Sequence, residues 1–143
     1  MVTVTWVPPM QFTGAGARGS TIVMDATKGD GGTGTGPTPM ENLLLALAGC
    51  TGMDVVSILR KMRIPLEELQ IDVSGERAAD HPRVFTSIHL HYALRGAGLD
   101  AQSAQKAVTL SVDKYCSVAA MLKRTAKITY DIAVSAERSV VAS

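Results

Sequence analysis

Apolar and polar residues alternate at the start of the chain: Val2, Val4 and Trp6 are separated by Thr3 and Thr5. A period of two predicts a strand, and the β-prone run Ser20–Ala26 predicts a second, so the chain should open with a hairpin or meander. Thr13–Gly19, rich in glycine, is the expected turn between them. Residues 28–37 then carry five of the thirteen glycines, at 29, 31, 32, 34 and 36. Such a run predicts a long loop or flexible lid rather than a regular element.

The period changes at Pro39. Proline is tolerated in a first helical turn, Thr38 can cap, and Glu41 suits the positive end of the helix dipole. The pattern from Asn42 to Met62 is helical and apolar almost all round, with Leu43, Leu44, Leu45, Leu47, Met53, Val55, Val56, Ile58 and Leu59. A helix of that kind is covered on most sides, at the centre of the molecule or in a subunit interface. Arg60, Lys61 and Arg63 match its negative pole, and Pro65 should end it. Gly49 and Gly52 inside it each cost roughly 1 kcal/mol against alanine, which points to close packing or ligand approach.

Three more strands follow from alternation: Leu69, Ile71, Val73; Ile88, Leu90, Tyr92, Leu94; and Ile128, Tyr130, Ile132, Val134. Each should bury one face. Ala79-Asp80-His81-Pro82 is the turn that pairs the first two antiparallel. Asp100–Ser117 reads as a helix capped by Asp100, followed by a short turn or second helix through Lys123. The order β-β-(β)-α-β-β-α-β predicts an α+β fold without a βαβ rhythm or internal repeat. We expect a single domain over 1–143, with N-terminal strands and the glycine-rich loop in 1–37 and the helices and remaining strands in 38–143.

At 143 residues, 46% hydrophobic and 19% charged, the chain can bury a core without disulfide or metal staples. Its net charge of +1 is spread out, so it lacks the basic stripe that nucleic acid demands. The start lacks a signal-peptide pattern, and the longest apolar stretch, around 43–49, is far short of a membrane span. A soluble, cytoplasmic protein with no membrane partner is the expectation.

Cys50 and Cys116 are the only thiols, 66 positions apart (116 − 50). Both lie in apolar, helix-like stretches, and by residue type each is either a small buried hydrophobe or a reactive group. Polar neighbours, Thr51 beside Cys50 and Lys114, Tyr115 and Ser117 around Cys116, favour reactivity. The glycine run lacks the Gly-Lys-Ser/Thr ending of a phosphate loop. His89 and His91 share a strand face, but neither they nor His81 have a carboxylate or cysteine at ligand spacing, so no metal is expected.

The stretch Pro37-Thr38-Pro39-Met40-Glu41-Asn42-Leu43-Leu44-Leu45-Ala46-Leu47-Ala48-Gly49-Cys50-Thr51-Gly52-Met53-Asp54-Val55-Val56 resembles the first-cysteine helix of the OsmC/Ohr family of osmotically induced and organic-hydroperoxide-resistance proteins. Lys114-Tyr115-Cys116-Ser117-Val118 resembles its second-cysteine motif. The resemblance extends over essentially the whole chain, including Asp25 and Gly75-Glu76-Arg77 ahead of His81-Pro82, and is closest to the OsmC-like branch with Pro-Met-Glu before the helix.

This resemblance implies an OsmC-like α+β fold, with two long central helices packed against curved antiparallel sheets, in an intertwined homodimer with both active sites at the subunit interface. It implies a thiol peroxidase with no bound cofactor or metal. Cys50 would attack an organic hydroperoxide, Cys116 would resolve the product to a disulfide, and an external dithiol would restore both. In the family's peroxidases an arginine and a glutamate activate the first thiolate. Here Arg18 is the positional candidate for the arginine, with Arg77 second, and Glu41 for the glutamate. Met40 occupies the place directly after the proline where those peroxidases carry it, so Glu41 is turned by about 100° on the helix. That departure supports the alternative of a binding or sensing protein for an apolar or thiol-reactive small molecule without rapid turnover. A structural dimer with inert thiols is a third reading.

Overall fold

A computed structural model describes residues 1–135. They fall into two compact units, Met1–Leu43 and Leu44 onward.

In the first unit β1 (Thr3–Val7), β2 (Gln11–Ala15) and β3 (Thr21–Met24) form an antiparallel meander in the order β1-β2-β3. The middle strand occupies part of the segment expected to turn. Gly14 is accepted there because its neighbour across the sheet, Ile22, would leave a Cβ only 3.1 Å of room. The turn is therefore shorter and lies after Ala15. Val4, Trp6, Phe12 and Ile22 are all exposed in the single chain.

The glycine-rich segment is organised rather than loose. Asp25, 2% exposed, follows β3. One of its carboxylate oxygens accepts the backbone N–H and the hydroxyl of both Thr33 and Thr35, at 2.7–3.2 Å. The other accepts Ala26 N–H at 2.8 Å. These donors, the Thr33 hydroxyl foremost, hold its carboxyl well below the usual carboxylate range. The segment folds around this charge through a 3₁₀ turn, Lys28–Asp30. Glycine is required at 32, where a Cβ would stand 2.1 Å from the Ala26 carbonyl oxygen.

Helix α1 (Pro39–Lys61) starts in the first unit and continues in the second. Its N-terminus is a capping box: Thr38 N–H donates to the Glu41 carboxylate at 2.7 Å and Glu41 N–H to the Thr38 hydroxyl at 3.2 Å. Its C-terminus ends before Pro65 can act. Arg63 takes a left-handed conformation (φ 59°), while Ile64 N–H bonds Leu59 O and Arg63 N–H bonds Arg60 O, both at 3.0 Å. This is a Schellman closure with arginine in the place that favours glycine. Leu47, Thr51, Val55 and Leu59 form the buried stripe, whereas Leu45 and Met53 are exposed. By length and composition α1 could cross a membrane. The sequence expectation counted only the unbroken apolar run; the small and hydroxylated residues beyond it dilute a hydrophobic window very little.

The second unit holds β4 (Glu68–Arg77), β5 (Phe85–Arg95) and β6 (Lys127–Ser135) in the order β4-β5-β6. The β4–β5 hairpin is antiparallel, as expected, with a register shift at Glu76/Arg77. β5 and β6 are parallel, so this sheet is mixed and contains one βαβ crossover that the sequence reading did not anticipate. The connection supplies enough chain for it: α2 (Ala101–Leu110), a π-helical turn (Ser111–Tyr115) and α3 (Ser117–Leu122). The second long helix is thus interrupted just before Cys116. Asp100 caps α2 as expected, accepting Ser103 N–H at 2.7 Å.

One face of this sheet is apolar, and cross-strand pairs such as Ile71–Tyr92, Ile88–Ile128 and Leu94–Val134 align on it. α1 packs closely there because a Cβ at Gly52 would lie 3.2 Å from Ile71 Cδ1. Gly49, by contrast, has open space beside it. Tyr92 and Tyr130 meet edge to face at 6.3 Å. Each fully buried Leu or Val in this core, Leu47, Val55, Leu59 and Leu90 among them, contributes on the order of 2 kcal/mol.

The Arg63 conformation makes a test of the α1 terminus. Removing a left-handed strain of about 1 kcal/mol in Arg63→Gly should raise the thermal midpoint by a few degrees. A midpoint at or below that of the parent protein would mean that the Arg63 side chain stabilises the terminus by more than its backbone costs.

Candidate functional site: the Cys50–Cys116 thiol pair

The fold brings the two thiols together, close enough for the Cys50 side chain to act on the Cys116 thiol. Cys50 is half-buried on α1, one residue before the buried stripe position Thr51, while Cys116 is 2% exposed. Cys116 does not lie inside a helix. It takes an extended conformation between the π turn and α3, where its N–H donates to Ser111 O at 2.8 Å. Its sulfur caps α3 by accepting Ala119 N–H at 3.4 Å.

Two effects compete at the Cys116 thiol. Backbone N–H groups at the start of α3 favour the thiolate; burial and the neighbouring Cys50 sulfur oppose it. Burial is the largest influence, and the outcome is a pKa pushed up to about 11. The lysines nearby in sequence are not among its main influences. Lys114 lies over the Tyr115 ring at 5.2 Å. Lys123 donates to Val112 O at 2.6 Å and to Asp113 at 3.4 Å, bracing the π turn.

A buried polar chain runs beside the thiols, and sequence reasoning missed it. Tyr92 OH and Thr51 Oγ1 are 2.8 Å apart, and Ser111 Oγ is 2.8 Å from both Thr51 Oγ1 and Asp54 Oδ2. Burial, the main cause, pushes the Tyr92 phenol up to about 12, with the nearby Cys116 adding to it. The signal was present: Thr51 interrupts the apolar stripe Leu47-Val55-Leu59, and a polar residue at a buried helical position needs a partner.

The remaining candidates have defined places. Arg18 is exposed in the turn between β2 and β3, and Glu41 is held in the capping box, where the Thr38 N–H lowers its pKa; both belong to the first unit. Arg77 donates from Nε to Arg83 O at 2.9 Å within the β4–β5 hairpin. The histidine expectation needs one correction. Asp131 on β6 stands between His89 and His91, 2.6 Å from a ring nitrogen of each. Sequence spacing could not supply this carboxylate, because the parallel β5–β6 pairing does. The two imidazoles lower its pKa.

The buried acids set a pH dependence for the reduced protein. The folded Cys116 pKa lies above its ordinary value of 9.0, so the neutral thiol's contribution to stability is complete below about pH 9. That contribution is lost as the pH rises toward 11, and Tyr92 adds the same trend from 10 to about 12. Denaturant unfolding of the reduced protein should show falling stability across this range, with a shallower fall in Cys116→Ala. An equal fall in that variant would contradict the assignment.

Comparison with known proteins places this geometry. Residues 31–131 match the family model for an OsmC-like protein. The chain is 41% identical over 133 residues to Protein YhfA of Escherichia coli (strain K12), covering 93% of this chain and 96% of that protein. Among solved structures it is similar to a hypothetical protein from Aquifex aeolicus VF5, with 29% identity and a TM-score of 0.78 over 94% of this chain and 96% of that one. The fold is also that of an organic hydroperoxide resistance protein OsmC from Legionella pneumophila, at 15% identity, with a TM-score of 0.71 over 94% and 96% of the two chains. The chain belongs to the OsmC-like family.

Proposed function

We propose that this protein is a thiol-dependent reductase of organic hydroperoxides that works through Cys50 and Cys116. The observation that carries the reading is that the Cys50 side chain, 66 positions away in sequence, acts directly on the Cys116 thiol, with one sulfur half-buried and the other enclosed. Cys50, the more accessible, attacks the terminal peroxide oxygen as a thiolate. The S–O bond forms as the O–O bond breaks, and the alkoxide leaves with a proton as alcohol. Cys116 then displaces hydroxide from the Cys50 sulfenic acid, giving a disulfide and water, and an external dithiol returns both sulfurs to thiols. No bound cofactor is needed. The names of structural neighbours such as the Legionella pneumophila protein support hydroperoxides as the substrate class.

Arg18 and Glu41 are the proposed activators of Cys50. The capping role of Glu41 favours a second reading, a binding or sensing protein for an apolar or thiol-reactive molecule that turns over slowly. Rapid mixing of reduced protein with cumene hydroperoxide separates the two. The peroxidase reading expects stoichiometric consumption within seconds, abolished in Cys50→Ser. In Cys116→Ser the first turnover should persist while the product stops at the sulfenic acid. Consumption in Cys50→Ser as fast as in the parent protein would exclude this mechanism.

The proposed assembly is a cytoplasmic homodimer, in a compartment that keeps such thiols reduced. Leu45, Gly49 and Met53 recur every four residues and form an exposed apolar stripe opposite the buried one, which a second copy would cover. Met53, 76% exposed, is the point to test. Met53→Glu should shift sedimentation from dimer toward monomer without unfolding the chain, and an unchanged dimer would remove this face from the interface.

A further inference from the structure

Ser111 is joined to both thiol-bearing elements. Its carbonyl closes the π turn by accepting Cys116 N–H, at 2.8 Å, the i to i+5 bond that defines such a turn. Its hydroxyl lies 2.8 Å from Asp54 Oδ2 and from Thr51 Oγ1, and 3.4 Å from the Thr51 carbonyl oxygen, all on the helix that carries Cys50. Thr51 follows Cys50 directly, and Asp54 is one turn beyond it. Ser111, Thr51 and Tyr92 are fully buried, so water cannot replace a lost partner.

A hydroxyl carries one proton, and this one faces two acceptors at equal distance. An ionised carboxylate is the stronger acceptor, so charged Asp54 takes the Ser111 proton. This bond and the one to Thr51 tether the Cys116 turn to the Cys50 helix.

We propose that Ser111 is the positioning residue for disulfide closure, holding the Cys116 turn against the Cys50 helix through Asp54 and Thr51. The reaction it serves rests on the peroxidase reading. In that step the Cys116 sulfur forms the S–S bond, the Cys50 S–O bond breaks, and the thiol proton leaves with the hydroxide as water. Disulfide geometry tolerates little error, with Cα atoms within about 7 Å. A tether that holds the Cys116 backbone itself and the residue next to Cys50 therefore acts on closure and leaves the first attack on peroxide untouched.

The test separates the two chemical steps. Reduced full-length protein is mixed with cumene hydroperoxide, sulfenic acid is trapped with dimedone, and disulfide is followed by mass after rapid quenching. Ser111→Ala should form sulfenic acid at the parent rate and close the disulfide at least tenfold more slowly. Asp54→Asn, which keeps the shape of the site but removes the stronger acceptor, should slow closure less. Closure in both variants at the parent rate would overturn the proposal. The Cys50–Cys116 equilibrium with dithiothreitol needs no peroxide and should shift at least tenfold toward the dithiol in Ser111→Ala, and less in Asp54→Asn; an unshifted equilibrium in both also overturns it. A parent protein that gives no sulfenic acid would defeat the peroxidase reading alone, because the dithiothreitol equilibrium still reads the tether.

Discussion

The hydrogen bond from Cys116 N–H to the Ser111 carbonyl, five residues back, is the constraint on which the site depends. A regular α-helix would continue past this point and carry the second thiol elsewhere around its axis. The π turn interrupts it, leaves Cys116 extended, and starts α3 with the cysteine sulfur as its cap. The same stretch of chain is the crossover that lets β6 pair parallel to β5. Fold and thiol placement therefore share one local irregularity.

Burial then divides the two sulfurs chemically. At Cys116 the helix-start N–H groups are outweighed by loss of water, and the proton is held. Buried Tyr92, Thr51 and Ser111 meet the same low-dielectric cost by bonding one another, and half-buried Asp54 ends the chain. On the proposed reading the result is an accessible thiol for the first attack and a sheltered one kept as thiol until the sulfenic acid forms. Family membership, shown by the match over 31–131, supports this reading, and the exposed stripe of α1 supports a second copy completing the molecule.

Much of this was legible in the sequence. Alternation located the three strands of the second unit with their buried faces, and Pro39, Thr38 and Glu41 marked the start of α1. The paired cysteine motifs led to the family. What escaped had physical causes. Gly14 reads as a turn residue, yet a strand accepts it where Ile22 across the sheet leaves a side chain little room. Arg63 ends α1 by backbone conformation, which residue type does not advertise. The π turn arises from a hydrogen-bond choice among otherwise helical residues, so no period records it. Asp131 reaches His89 and His91 only through a strand pairing, and Asp25 organises threonines eight and ten positions away.

The most direct test of the central claim, that Cys50 and Cys116 are a working redox pair, is peptide mapping of the reduced protein after one equivalent of organic hydroperoxide. The account predicts a single intramolecular Cys50–Cys116 disulfide, formed within one turnover and removed by an added dithiol. Both thiols remaining free while the peroxide persists would contradict it.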